Sequence, residues 1–516
     1  MATIIKKVSL NFTDLTGDRT GCTKLGSNKF WTGWVEDNGD GTCNFECRWG
    51  PTGTPGSDKG SKRGITEDAA LKTLASKVKS KTKKGYTELE TRTVAEEQSK
   101  AAANGVKPKK TTVKKAAAPT RTFNPEVERL LGVIYNETSR VVRSGLSAQA
   151  GATEDNPLGN LSDRQLDLGG EILEEIQAML DRHFGTENRH NKTETLPLLS
   201  NGVPSKAVID ITNRFMSNIP RSIDRAMRGR NNLHRIVVSS YERLEEQRKF
   251  LQLLRDAHLT KDVFAAAAHA GPTQHSKAGV WYDGLGCEIE YCEPGSADFR
   301  KAQDVFDKGQ SRRNANWFQG GRSTLRVKRV FKFTRNGTSA RFDRYAANMA
   351  MKPGAVGNIM AWHGTRTENL LGIGKSGLLM PENLPRGVHL SGKAFGRGIY
   401  HAPAWTATGV SNVQGYRTDG TNGALKSMNY TSARGAYYGS GNTSTGAFMF
   451  LQEVALGVAD VRTIACWDKH RPDGWPQKDF IFACASGGRG GFVHDELVTF
   501  SEDAQVFRYL VEIETR

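Results

Sequence analysis

The sequence predicts a multidomain α+β chain: a small strand-rich segment with one helix, an all-helical bundle, and a mixed, strand-rich C-terminal half. Three observations carry this. Aromatic strands broken by glycine turns open the chain. Capped apolar repeats at helical spacing fill its middle. Long apolar runs rich in β-branched and aromatic residues dominate the rest. A chain of 516 residues is expected to hold about three domains. The expected bounds are 1–97 for the first segment, 98–122 for a basic flexible linker, 123–260 for the bundle and 261–516 for the C-terminal domain. No internal repeat is visible.

In the first segment Phe30, Trp31 and Trp34 belong to an aromatic strand. Asn38-Gly39-Asp40-Gly41 is a hairpin turn, because Gly and Asn tolerate the positive φ that a tight turn needs. The return strand is read over residues 42–49, where Cys43, Phe45, Cys47 and Trp49 alternate along one face. A helix opens at Thr66-Glu67-Asp68, with a capping hydroxyl and two acids suited to the positive end of the helix dipole. Leu71, Leu74 and Val78 repeat at helical spacing, lysines crowd the far end, and Gly85 stops it.

Residues 98–122, with Lys107-Pro108-Lys109-Lys110, Lys114-Lys115 and three alanines, cannot build a core. Their charge suits loose phosphate contact, a nuclear address, or simple solubility. The bundle begins at Asn124-Pro125, a cap followed by proline at the first helical position; Val127, Leu130, Leu131 and Ile134 form its first apolar face. Leu161-Ser162-Asp163 opens a second helix ending at Gly185. A third runs over 207–219 and a last one over 241–254. In the C-terminal half, residues 325–331 and 448–457 read as buried strands. Gly372-Ile373-Gly374-Lys375-Ser376-Gly377 imitates a phosphate-binding loop. The required first glycine is replaced by Asn369, and Pro381 follows where a helix would have to run. A helix end with a glycine turn is expected there instead.

The net charge of +17 suits a polyanionic partner, nucleic acid being the commonest, and equally suits a solvated basic surface. No apolar run is long enough for a membrane span. Residues Met1 to Lys7 lack the apolar core of a signal peptide. The seven cysteines are scattered and are expected to be reduced thiols in an intracellular protein.

Four side chains in the C-terminal half carry the chemistry. They are His363 in Trp362-His363-Gly364-Thr365-Arg366, Tyr400 in Phe395-Gly396-Arg397-Gly398-Ile399-Tyr400, Tyr430 in Lys426-Ser427-Met428-Asn429-Tyr430, and Glu496 in Asp495-Glu496-Leu497-Val498. Each fragment alone is commonplace: a histidine after tryptophan is usually a satisfied core residue. The ordered set resembles the catalytic domain of poly(ADP-ribose) polymerases, whose triad is His-Tyr-Glu. Two further segments extend the resemblance. Residues 27–30 with Asn28, Trp49-Gly50 and Lys84-Gly85-Tyr86 are similar to a WGR domain. Pro157 to Gln165 and Ile211-Thr212-Asn213-Arg214-Phe215 are similar to the helical regulatory domain of the same family.

That resemblance implies an enzyme that transfers ADP-ribose from NAD, its substrate, with no metal. His363, Tyr400 and Glu496 would be catalytic, and Gly364, Thr365, Asn369, Ser427 and Tyr430 would hold NAD. Gly364 and Ser427 would take the carboxamide, and Tyr430 and Tyr400 the nicotinamide ring. His363 and Glu496 would bind ribose hydroxyls, and Thr365 and Asn369 would lie near the adenosine half. Asn28, Arg48 and Trp49 would bind DNA ends or nicks, although Trp49 also reads as a core aromatic. The implied activity is DNA-break-activated polymer synthesis on protein acceptors, including the chain itself, with the bundle acting as a DNA-released brake. The alternatives are transfer of a single ADP-ribose and a non-catalytic DNA-end scaffold. The implied place is intracellular and DNA-associated: the nucleus in a eukaryote, the cytoplasm or nucleoid in a prokaryote. Three departures stand out. Pro51 replaces the arginine of the Trp-Gly-Arg run, with Arg48 as the nearest substitute cation. Leu379 stands where many relatives carry arginine. A Gly/Thr/Asn-rich insertion spans 404–425.

Overall fold

The computed structural model describes residues 3–15, 27–51, 56–89, 122–146, 161–186, 193–198, 204–221, 236–308, 325–381, 383, 394–404, 412–413, 416–417, 431, 447–465, 478–484 and 495–515. It is α+β, and it divides into two compact units, one built from residues 1–120 and 139–264 and the other mainly from 121–138, 265–385 and 390–516.

The first unit begins with a five-stranded sheet of order β4-β3-β2-β1-β5, made by β1 (Thr3–Asp14), β2 (Ser27–Asp37), β3 (Cys43–Pro51), β4 (Lys62–Ile65) and β5 (Thr87–Leu89). The β2–β3 turn is the expected one: Gly39 and Gly41 take φ of 76° and 84°, and the Asp37 carboxylate accepts from the Gly39 N–H at 2.8 Å. Helix α1 (Glu67–Lys83) starts where Thr66 accepts from the Ala69 N–H, a cap worth about 1 kcal/mol. Its Ala70 and Leu74 pack with Trp31, Val35, Phe45, Cys43 and Cys47 in one core. Trp49 departs from the face expected for it. Cys43, Phe45 and Cys47 are buried, but Trp49 is 40% exposed, and the last turn of α1 sets Lys81 over its ring rather than an apolar side chain.

The helices of this unit are the later part of α2 (Pro125–Gly145), then α3 (Asp163–Phe184), α4 (Lys206–Asn218), α5 (Tyr241–Leu259) and the start of α6 (Lys261–Ala270). A reciprocal pair of bonds between Ser162 and Gln165 caps α3, and Gly185 at φ 81° ends it, as its sequence predicts. Helix α5 runs past the expected stop at residue 254 because Ala257 continues its buried face. Val142, Leu173, Ile176, Phe215, Leu251 and Leu254 share one core. The end of β1 docks on α4. Asn11 Nδ2 donates to the Met216 carbonyl at 3.2 Å, and the Thr13 and Leu15 N–H groups donate to Ser217 Oγ and Asn213 Oδ1 at 3.1 Å each.

The second unit is organised on a nine-stranded sheet of order β13-β14-β15-β9-β8-β12-β16-β7-β6. Along the chain come α7 (Gln274–Leu285), β6 (Cys287–Cys292), α8 (Ala297–Lys308), β7 (Leu325–Arg335), α9 (Ser339–Ala350), β8 (Gly357–Gly364) and α10 (Leu370–Ser376). They are followed by β9 (Ile399–Pro403), the short pair β10 (Asn412–Val413) and β11 (Tyr416–Arg417), β12 (Ala447–Leu456), β13 (Ala459–Arg462), β14 (Phe480–Ala483), β15 (Glu496–Thr499) and β16 (Gln505–Thr515). Strands β7 and β12 lie where the apolar runs predict them, and α10 ends at Gly377 with φ 81°, so the phosphate-loop look-alike is a helix end. Helices α7, α8 and α9 are additions that the strand-rich reading of this half did not place.

The first half of α2 belongs to this second unit. Leu130, Leu131, Ile134 and Tyr135 are each fully buried. The Tyr135 ring stacks on Trp281 with centroids 5.3 Å apart, and its hydroxyl donates to the Trp281 carbonyl at 2.9 Å. Arg129 and Arg329 both pair with Glu126 and with the buried Glu512. Among the described residues, five cysteines are free thiols, no group of side chains is arranged to hold a metal, and no helix is long and apolar enough to cross a membrane.

Candidate active site

Three adjacent strands of the large sheet carry the expected triad. His363 is the penultimate residue of β8, Tyr400 is the second residue of β9, and Glu496 opens β15. The register sets Trp362 opposite Ala402 across β8 and β9, and Val498 opposite Tyr400 across β9 and β15. Gly398 allows the last pairing: a Cβ there would meet Val498 Cγ1 at 2.5 Å and the Thr499 carbonyl at 2.8 Å. The glycine of Gly398-Ile399-Tyr400 therefore lets β9 close on β15.

His363 Nδ1 lies 3.3 Å from the Tyr400 carbonyl. A carbonyl only accepts, so Nδ1 carries the proton and Nε2 keeps its lone pair. Burial pushes the imidazole down from 6.5 to about 4, opposed by that hydrogen bond, so the ring is neutral at physiological pH. The Tyr400 phenol donates to the Gly396 carbonyl at 2.9 Å and accepts from the Phe395 N–H at 2.9 Å. Gly396 supplies the φ of 90° at that turn, and the two bonds fix the tyrosine ring. Glu496 is half-buried. Gly364 ends β8; Thr365 follows it, 5% exposed, and its hydroxyl accepts from Asn369 Nδ2 at 3.2 Å. Asn369 closes a 3-10 turn, Thr367–Asn369. Ser427 and Tyr430 lie outside the described residues, as does most of the 404–425 insertion.

Sequence reading missed three supports. Thr138 donates to the Glu368 carbonyl at 2.9 Å and so steadies the turn that carries Asn369. The Glu502 carboxylate accepts from the Met380 N–H at 2.8 Å and from Asn383 Nδ2 at 2.9 Å, anchoring the chain just after Leu379. His401, beside Tyr400, is 1% exposed. Nothing local marks Thr138 or Glu502, whose partners are more than a hundred residues away. A pocket of about 200 Å³ bordered by Arg335, Arg341, Gly377 and Glu502 is lined by none of the triad, so the site is drawn from the strands.

In the first unit, Trp49 donates its indole N–H to the Lys59 carbonyl at 3.0 Å, and Lys81 lies 5.8 Å above its ring. Burial, with Lys84 and Lys77 close by, holds Lys81 below the usual lysine range. Trp49 is thus an exposed aromatic among lysines rather than a core residue. Arg48 is exposed beside it. Asn28 is elsewhere: it is 4% exposed, accepting from the Thr13 hydroxyl at 3.3 Å and donating to the Arg221 carbonyl at 3.4 Å. Its expected role in touching DNA does not match this burial, because the amide braces strand to bundle.

Comparison with known proteins finds three successive matches along the chain. A WGR domain model matches residues 6–93. A model described as poly(ADP-ribose) polymerase, regulatory domain, matches 122–276, and the poly(ADP-ribose) polymerase catalytic domain matches 312–474. The chain belongs to the poly(ADP-ribose) polymerase family. Poly [ADP-ribose] polymerase 1 of Arabidopsis thaliana is 27% identical over 48% of this chain and 20% of its own length. Poly [ADP-ribose] polymerase 1 of Oryza sativa subsp. japonica is 24% identical over 54% of this chain and 24% of its own length. Poly [ADP-ribose] polymerase 2 of Arabidopsis thaliana is 21% identical over 73% of this chain and 54% of its own length. The match thus spans from a fifth to about half of these relatives. Within the family's catalytic match fall His363, Tyr400, Ser427 and Tyr430; Glu496 lies past its last matched residue.

Proposed function

We propose that the chain is an NAD-dependent ADP-ribosyltransferase that builds poly(ADP-ribose) on protein acceptors, itself included, when it meets a DNA end or nick. The observation that carries the reading is the neutral, oriented His363 bonded to the backbone of Tyr400, with Glu496 opening the next strand. The bond between nicotinamide and the C1 carbon of its ribose breaks with its electron pair leaving on nicotinamide, and positive charge grows on the ribose. His363 Nε2 accepts from a ribose hydroxyl and fixes the sugar. Tyr400, with Tyr430, holds the nicotinamide ring, an apolar aromatic setting that suits a planar heterocycle. Gly364 and Ser427 bind the carboxamide, and Thr365 and Asn369 the adenosine half. The Glu496 carboxylate stabilises the growing cation and polarises the acceptor hydroxyl, whose oxygen forms the new bond to C1 as its proton passes to the carboxylate and on to water.

Trp49 and Arg48, with Lys81 beside them, form the DNA-reading face: aromatic surface for the break and cations for phosphate. On this reading the protein works inside the cell on DNA, in a nucleus or in the cytoplasm or nucleoid according to its host. The test is incubation of the purified chain with labelled NAD, with and without cut linear DNA, followed by a denaturing gel and a nicotinamide assay. Label is expected as a smear above the chain, strengthened by DNA. Absence of nicotinamide release with DNA present would remove the enzyme reading. A single sharp labelled band would reduce it to transfer of one ADP-ribose.

A further inference from the structure

We propose that His401 pins the register of the candidate site: its imidazole ties β9 to the adjacent β15 and, across β8, to β12, and so holds Tyr400 and Glu496 in the relation that NAD cleavage needs. The inference rests on the function proposed above. Strand β9 is weakly held by its ladders. It pairs with β8 through two residues, at Ala361–Pro403 and Trp362–Ala402, and with β15 through three, from Leu497–His401 to Thr499–Ile399. Side chains alternate across a strand, so a slip of one residue would exchange the places of Tyr400 and His401.

What opposes the slip is a buried polar chain with a single proton order. Gln452 of β12, fully buried, donates through Nε2 to His401 Nδ1 at 2.5 Å. His401 Nε2 lies 2.9 Å from the Thr499 hydroxyl. That hydroxyl donates to Gln505 Oε1 at 3.4 Å, so its oxygen accepts and the imidazole proton is on Nε2. Gln505 in turn donates to the Glu502 carbonyl at 2.8 Å, and the Glu502 carboxylate holds Met380 and Asn383. The chain therefore crosses from β12 to β9 to β15 and ends on the segment after Leu379. Gln452 Oε1 has no partner among the described residues, a costly arrangement in a core. An apolar side chain would fill the same space without that cost, which argues that the imidazole contact is what keeps glutamine there. His401, Gln452 and Thr499 are positioning residues and touch no substrate.

The experiment uses the full chain carrying His401→Phe, which keeps a ring and removes the bonds to Gln452 and Thr499. His401→Gln retains a donor and an acceptor, and Thr499→Val repeats the measurement from the other partner should the first variant not fold. Two readouts are taken: NAD turnover, and deuterium uptake of peptides covering 394–404, 495–505 and 447–456. His401→Phe is expected to lower kcat on the order of 10- to 100-fold, the usual cost of a misplaced reacting group, with KM for NAD changed less than about threefold. Uptake should quicken in 394–404 and 495–505 and not in 447–456. His401→Gln should recover most of both. Wild-type uptake in those two peptides for folded His401→Phe would overturn the proposal, as would a kcat loss no larger than the loss of folded protein. Were the wild-type chain itself unable to consume NAD, the enzyme reading would fall and the uptake arm alone would decide on the pin.

Discussion

His363 shows how one side chain's surroundings set both its chemistry and its pH response. Its folded-state value is near 4, against 6.5 for the free group. Between those values the unfolded chain binds a proton that the folded chain refuses, so stability rises with pH across this window. The contribution is fully present above about pH 6.5 and lost as pH falls toward 4, roughly 3 kcal/mol in all. Thermal unfolding from pH 7 to pH 4 should show this slope, and His363→Gln should flatten it; an unchanged slope would remove the burial argument. Glu496 is tested by charge. Glu496→Gln keeps the shape and a hydrogen bond but not the negative charge, so polymer should fall on the order of 10²- to 10³-fold while some nicotinamide release or single transfer persists. Unaltered chain length on a polymer gel would contradict its role on the acceptor.

At the scale of elements, α2 matters most, because its first half belongs to the second unit. Tyr135 is fully buried, stacked and hydrogen-bonded there. Tyr135→Ala should cost about 3–5 kcal/mol, as other large-to-small aromatic changes in cores do, whereas Leu198→Ala, at 47% exposure, should cost less than about 0.5 kcal/mol. Chemical denaturation of the two full-length variants measures both. A catalytic fragment cut at residue 265 would strip this helix, so fragments meant to test the brake need residues 121–138 retained. The sheet of the first unit makes the opposite point. Trp49 is 40% exposed near the end of β3, so Trp49→Ala should leave the melting temperature nearly unchanged while weakening binding to a DNA end more than to closed circular DNA. Equal losses on both DNAs would reduce Trp49 to a structural role.

For the molecule as a whole, the net charge of +17 would set the form of the proposed DNA binding. Affinity for a DNA end should fall linearly on a log–log plot against salt, because each neutralised phosphate releases counterion; a flat plot would exclude phosphate contact as the main source of affinity. Under the proposed function, regulation would be an equilibrium between restrained and active states, and DNA could favour activity only by binding the active state more tightly. Leu173 is fully buried in the bundle core. Leu173→Ala should weaken the bundle by ~2–5 kcal/mol, comparable with coupling energies of about 1–3 kcal/mol, and should raise activity without DNA. Basal activity equal to wild type, with the bundle measurably destabilised, would show that the bundle exerts no restraint.

The elements legible in the sequence were those whose signals are local. The Asn38–Gly41 turn, the Thr66 and Ser162 caps, the Gly185 and Gly377 stops and the apolar runs of β7 and β12 all act within a few residues of themselves. Each therefore appears in the fold as the sequence implies. The expected triad reads in the sequence as an ordered set of types. Its strands are adjacent only because β8, β9 and β15 meet in the sheet, which no spacing along the chain specifies. What tertiary structure decided was the surroundings: that Asn28 is buried and Trp49 exposed, that Thr138 holds the Asn369 turn, and that His401 bonds Gln452 and Thr499. Burial and long-range hydrogen bonds depend on which surfaces meet, and a side chain's type fixes only what it can bond, not what it will find opposite.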